Sequence, residues 1–87
     1  MFRRIRFNPD VTYYKPAGVP VRMLDEVVLC MDALEALRLC DVEELKQEEA
    51  AIKMGVSQPT LFRLLKEARK KLASAVINGK AIRIEKC

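Results

Sequence analysis

The sequence predicts a mainly α-helical fold, a three-helix helix-turn-helix bundle with short terminal β-strands, and three observations point there. Leu61, Leu64, Leu65, Ala68 and Leu72 recur at the spacing of one face of an α-helix. Leu34, Leu37 and Cys40 mark a second such face upstream, opened by Asp32 with Glu35 three residues on, the pattern of a capping box. Between the two, residues 47–57, QEEAAIKMGVS, read as a short helix ended by a glycine. The 87 residues suit one small domain. Its expected parts are an N-terminal strand, loop and lead-in over 1–30, a helical core over 31–76 and a C-terminal strand over 77–87.

Residues 47–72, QEEAAIKMGVSQPTLFRLLKEARKKL, hold the most specific arrangement. Ala50 and Ala51 are small enough for a second helix to cross closely. Gly55, directly after Met54, suits a left-handed helix-ending conformation that a Cβ would penalise. Val56 can plug the angle between two helices, and Ser57 can cap the next helix. Pro59 has no N–H, so a Ser57 cap has to use the N–H of Thr60. Pro59 also disfavours helical dihedrals at Gln58, which leaves the helix start open by one residue. Small pair, glycine corner, apolar plug, cap and then leucines at 61 and 64 make the plan of a helix-turn-helix, whose second helix lies in the major groove of DNA.

Pro59, Arg63, Lys66 and Lys70 fall opposite the leucine stripe, Phe62 and Arg69 lie on a flank, and only Glu67 opposes these cations. Taken alone, such a face also fits ordinary solvation; in this context it expects an anionic partner. Lys66, Arg69, Lys70 and Lys71 are expected to attract phosphate. Gln58 and Arg63 are the expected base readers, since an amide can pair with adenine and a guanidinium with guanine. Phe62 suits a thymine methyl or a dimer contact, and the Gln47 amide can donate to a phosphate. Ser57, Pro59, Thr60, Arg4 and Arg6 complete the candidate DNA-contacting set.

The net charge of +4 is unevenly spread: residues 21–49 carry nine acids and three bases, residues 50–87 nine bases and two acids. A chain polarised this way can turn one basic face to a nucleic acid while the other stays acidic and soluble. No apolar run approaches the roughly 20 residues of a membrane span, and MFRRIRF lacks the apolar core of a signal peptide. A cytoplasmic location is expected. There is no His, and Cys30, Cys40 and Cys87 include no CxxC pair, so neither a metal nor another cofactor is expected. Cys30 and Cys40 read as small core residues and Cys87 as an exposed terminal thiol. Without His, a Gly-rich phosphate loop or a nucleophile beside a base, an enzyme is not expected.

Residues 2–7, FRRIRF, alternate Ile5 and Phe7 against Arg4 and Arg6. Two readings stand: an edge strand with solvated arginines, or a basic arm that reaches phosphate or a minor groove. Residues 8–20, with three prolines and Gly18, read as a loop pinned to the core by Tyr13 and Tyr14. Residues 21–30 are too short a mixture to separate helix from strand and serve as a lead-in under the bundle. Asn78-Gly79 stops the long helix. Residues 80–85, KAIRIE, then alternate as a half-buried strand, with Ile82 and Ile84 inward and Lys80 and Arg83 outward. Its expected partner is FRRIRF, within one chain or between two.

YYKPAGVP (residues 13–20), DALEALRL (32–39), QEEAAIKMGVS (47–57) and EARKKLASAVINGKAIRIE (67–85) resemble successive blocks of the bacterial and archaeal proteins grouped as domain of unknown function 134. The resemblance covers nearly the whole chain. It is specific in the aromatic-Lys-Pro-Ala-Gly loop and the Asn-Gly-Lys-Ala tail, which a generic helix-turn-helix does not share. It implies a predicted DNA-binding protein whose helix-turn-helix is similar to the fourth region of bacterial sigma factors. Ser57, Thr60 and Arg63 fall on positions of the family's recognition-helix pattern. This chain departs at Gln58 and Pro59, where relatives often have a basic residue and an amide.

The expected function is sequence-specific binding of double-stranded DNA by a transcriptional regulator. A homodimer on two half-sites is the expected assembly, and the transcription machinery is a further expected contact. The alternative is a protein-interaction module whose basic face docks an acidic partner such as the polymerase.

Overall fold

A computed structural model describes residues 9–87, so the strand or arm expected over FRRIRF, with Arg4 and Arg6, lies outside the described residues. Within that span the chain is mainly α-helical, with three helices and a three-stranded sheet. The order is β1 (Tyr13–Tyr14), a 3-10 turn (Val21–Met23), β2 (Glu26–Cys30), α1 (Met31–Leu37) running on into a π-helical turn (Arg38–Val42), α2 (Gln47–Met54), α3 (Gln58–Asn78) and β3 (Ala81–Glu85).

The corner between α2 and α3 forms as its residues dictate. Gly55 takes a left-handed conformation with φ of 67°, and its N–H closes α2 on the carbonyls of Ala51 and Ile52. Ser57 caps α3: its Oγ accepts the Thr60 N–H at 3.3 Å, the first donor available once Pro59 has none to offer. The helix starts at Gln58, which closes the one-residue ambiguity. Ala50 and Ala51 are buried where α2 meets α3.

The leucine stripe of α3 serves two clusters in succession. Leu61 and Leu65 close on Ala36, Leu39, Ala50, Ala51 and Met54, with Val56 packed alongside as the expected plug. One turn further on, Ala68 closes on Leu29, Met31, Ala33 and Ile84, with Leu64 and Leu72 at its margin. Burying one leucine side chain fully contributes about 2 kcal/mol, so a single stripe fastens both the other helices and the sheet to α3.

The sheet differs from the one expected. β3 runs parallel to β2, from Glu26 opposite Ala81 to Cys30 opposite Glu85, and antiparallel to β1, with Tyr13 opposite Arg83 and Tyr14 opposite Ile82. The partners of KAIRIE are therefore the undecided lead-in and part of the expected loop, within one chain. A parallel pair needs a crossover, which here is the whole helical bundle. No hairpin turn advertises such a pairing. Val27 and Val28 accept the strand readily because β-branched side chains fit a pleated, half-buried surface.

Two further expectations are corrected. The N-cap of α1 is Cys30, whose side chain makes no cap hydrogen bond; Asp32 sits inside the first turn, where its Oδ1 accepts the Ala33 N–H at 2.7 Å. Cys30 and Cys87, expected as a core thiol and an exposed one, form a disulfide with Cα atoms 5.5 Å apart. The parallel register produces this, since Cys30 lies opposite Glu85 and Cys87 comes two residues later. Cys40 keeps its thiol, half-buried among apolar neighbours, and burial pushes its pKa up. As the Asn78-Gly79 stop dictates, α3 runs through Asn78 and ends at Gly79, with φ of 64°.

Candidate nucleic-acid interface

The exposed surface of α3 is built from its N-terminus. Ser57 Oγ donates to Thr60 Oγ1 at 3.0 Å while accepting the Thr60 N–H, a reciprocal pair that fixes the first turn. Arg63, one turn on, donates through Nη2 to the same Thr60 Oγ1 at 3.2 Å. Its guanidinium is thereby held over the beginning of the helix. Gln58 and Pro59 are exposed in the first turn, and Phe62 is 52% exposed beside them. Gln47 opens α2 and is half-buried.

Lys66 and Lys70 continue the strip from Arg63 at i+3 and i+7, positions that share a helix face. Both are exposed. With Glu67, Lys71, Ser74 and Val27 of β2, these three cations line a groove of about 460 Å³ along the outer side of α3. Val27 brings β2 to the margin of that groove, a feature the sequence does not signal because residues 21–30 are not assignable as a strand from periodicity.

Two other cations expected to attract phosphate are engaged within the chain. Arg69 donates from Nε to Asp41 Oδ2 at 3.0 Å and from Nη2 to Oδ1 at 2.6 Å, reaching the π-helical turn. The guanidinium holds the Asp41 carboxyl below the usual carboxylate range. Lys71 donates to the carbonyl oxygen of Val28 at 2.7 Å and lies 3.6 Å from Glu67. The reason in both cases is a partner distant in sequence that the tertiary fold brings alongside α3. No periodicity could have signalled Asp41.

Away from α3, Glu26 gathers a second cluster. Its carboxylate accepts Arg83 Nε at 3.1 Å, Arg83 Nη2 at 2.9 Å and the Tyr13 hydroxyl at 2.6 Å, and the Arg83 guanidinium lies 4.8 Å from the Tyr13 ring centroid. Arg83 faces outward as expected, but it is tied down. The arginine, and then the tyrosine, hold the Glu26 carboxyl below its ordinary value. Tyr13 thus fastens its loop to the sheet, while Lys15 closes the loop on itself by donating to the Val19 carbonyl at 2.8 Å.

Among the described residues no helix is long and apolar enough to cross a membrane, and no three metal-ligating side chains come together.

Residues 1–87 match the profile of a family described as protein of unknown function DUF134. A UPF0251 protein of Moorella thermoacetica is 59% identical over 83 residues, 95% of this chain and 56% of that protein. Another, from Caldanaerobacter subterraneus subsp. tengcongensis, is 55% identical over 84 residues, 97% of this chain and 71% of its own length. A third, from Thermoanaerobacter sp. (strain X514), is 57% identical over 83 residues, 95% of this chain and 74% of that protein. The chain thus spans a little over half the length of the Moorella relative. No solved structure matches. With a profile match from end to end and relatives of this similarity, the chain belongs to the DUF134 family of proteins of unknown function.

Proposed function

We propose that this chain binds double-stranded DNA through the first half of α3 and acts as a sequence-specific transcriptional regulator. One observation carries the reading: Arg63, Lys66 and Lys70 stand exposed on one strip of a helix that a glycine corner and a serine cap set at a defined angle to α2. That strip is about 10 Å long at 1.5 Å per residue, and a major groove admits a helix of this kind. Lys66 and Lys70 attract phosphate. Gln58 and Arg63 read base edges, with Arg63 aimed by its bond to Thr60.

The same reading includes a homodimer on two half-sites about 34 Å apart and a cytoplasmic location. β3 is the middle strand of its sheet, so pairing β3 with its counterpart in a second copy is not the route to that dimer. Contact with the transcription machinery belongs to the same proposal.

The test is fluorescence anisotropy of a labelled random-sequence duplex over a range of potassium chloride concentrations. The logarithm of affinity is expected to fall linearly with the logarithm of salt, with a slope of about −0.9 per phosphate neutralised. Absence of affinity at low salt would overturn the proposal and leave the basic face to an acidic protein partner. Selection of bound sequences from a random library then identifies the site.

A further inference from the structure

We propose that Asp41 is a positioning residue that holds Arg69 away from DNA phosphates and so suppresses sequence-independent binding. This rests on the reading of α3 as the DNA-binding helix. Arg69 lies three residues after Lys66 and seven after Phe62, so it shares the exposed flank of α3 with them. By position alone it belongs with the phosphate-attracting cations. Its guanidinium instead forks onto Asp41, with bonds of 2.6 and 3.0 Å. The two donors are one of the parallel N–H pairs with which a guanidinium can fork onto a phosphate. The carboxylate occupies them first.

Asp41 lies within the π-helical turn. The Glu43 N–H donates to the Arg38 carbonyl at 2.9 Å, five residues back, so this turn holds one residue more than an α-helical one. An added residue rotates the next side chains by about 100° around the axis. Leu39 stays buried and Asp41 meets α3.

The pair is solvent-accessible, with side chains 54% and 36% exposed for Arg69 and Asp41. Exposed pairs are weak and screened by salt, so Asp41 does not lock Arg69; it competes for it. A phosphate must displace a carboxylate already in contact, and that carboxylate also repels the phosphate. No such competitor is paired with Lys66 or Lys70 among the described residues. The penalty falls on every complex in which a phosphate would engage Arg69, whether or not base contacts are also made. Asp41 thereby lowers the sequence-independent, phosphate-driven part of the affinity.

The experiment is a double-mutant cycle. Affinities of wild type, Asp41→Asn, Arg69→Ala and the double variant are measured over a salt series, on a random-sequence duplex and on the duplex enriched from a random library. Asp41→Asn is expected to tighten binding to both duplexes several-fold and to steepen the log–log salt slope by about 0.9. Arg69→Ala alone is expected to cost far less than Lys66→Ala, and on its background most of the Asp41→Asn gain disappears. An unchanged slope in Asp41→Asn, a gain fully retained without Arg69, or a loss in Arg69→Ala as large as in Lys66→Ala overturns the inference. Thermal melting of each variant identifies any that fails to fold, and the Arg69→Ala comparison then decides. A wild type with no duplex affinity at low salt removes the DNA reading itself, an outcome distinct from these.

Discussion

The Nζ of Lys71 donates to the carbonyl oxygen of Val28 at 2.7 Å, so α3 engages β2 on the edge away from β3. The Ala81 N–H donates to the Asp25 carbonyl, which turns alternate residues of β2 toward β3 and leaves Val28 facing the other way. An unpaired strand edge invites association with another chain. Lys71→Met keeps the stem and removes the donor. It is expected to cost about 1 kcal/mol in urea denaturation and to leave the salt slope of duplex binding where it was. A slope reduced by about 0.9 would return Lys71 to the phosphate-contacting set.

Arg63 and Lys70 share a strip but are expected to behave differently. Arg63→Ala should cost about 1 to 3 kcal/mol on the selected site and relax one base position, whereas Lys70→Ala should weaken all duplexes alike. Equal losses on selected and random duplex for Arg63→Ala would take it off the list of base readers.

The corner is expected to be costly to alter at either end. Gly55→Ala forces a side chain into the left-handed region at φ of 67°, a cost of about 1 kcal/mol. Ser57→Ala removes the acceptor of the Thr60 N–H, again about 1 kcal/mol, and Ser57→Asp is expected to restore much of it. Chemical denaturation of the three variants checks the ranking.

The Cys30–Cys87 bond spans a sequence separation of 57 residues. On the chain-entropy account, closing a loop of that size stabilises by about 4 kcal/mol. Reduction with dithiothreitol should lower the urea midpoint of the wild type markedly. Cys87→Ser should start at that lower midpoint and show no response to reductant.

Glu26, held below its ordinary value by Arg83 and Tyr13, sets a pH dependence. A depressed carboxyl contributes its stabilisation fully above the ordinary glutamate value of about 4.3 and loses it as pH falls through the lower folded value. Wild-type melting temperature is therefore expected to drop as acid is added below about pH 4, and Glu26→Gln to show a shallower acid limb. Parallel acid limbs for the two proteins would remove Glu26 from the account.

Legibility tracked distance along the chain. The Gly55 corner, the Ser57 cap with its forced choice of Thr60 and the stripe from Leu61 to Leu72 were all readable, because each depends on residues within a few positions of one another. The extra π-helical residue was not, since Leu34, Leu37 and Cys40 fit an uninterrupted helix equally well. Of the candidate surface, Arg63, Lys66 and Lys70 were legible as one exposed strip. The engagement of Arg69 and Lys71 was invisible, because Asp41 and Val28 are neighbours of α3 only in space.

By itself, then, the sequence determined the helical corner and the sign of the surface beyond it, through periodicity, a missing Cβ and a missing N–H. Only the tertiary structure decided that KAIRIE pairs with β2 and β1, that Cys30 meets Cys87, and which cations of α3 are engaged by groups elsewhere in the chain. Those outcomes depend on groups far apart in the chain, and packing around α3 brings them together.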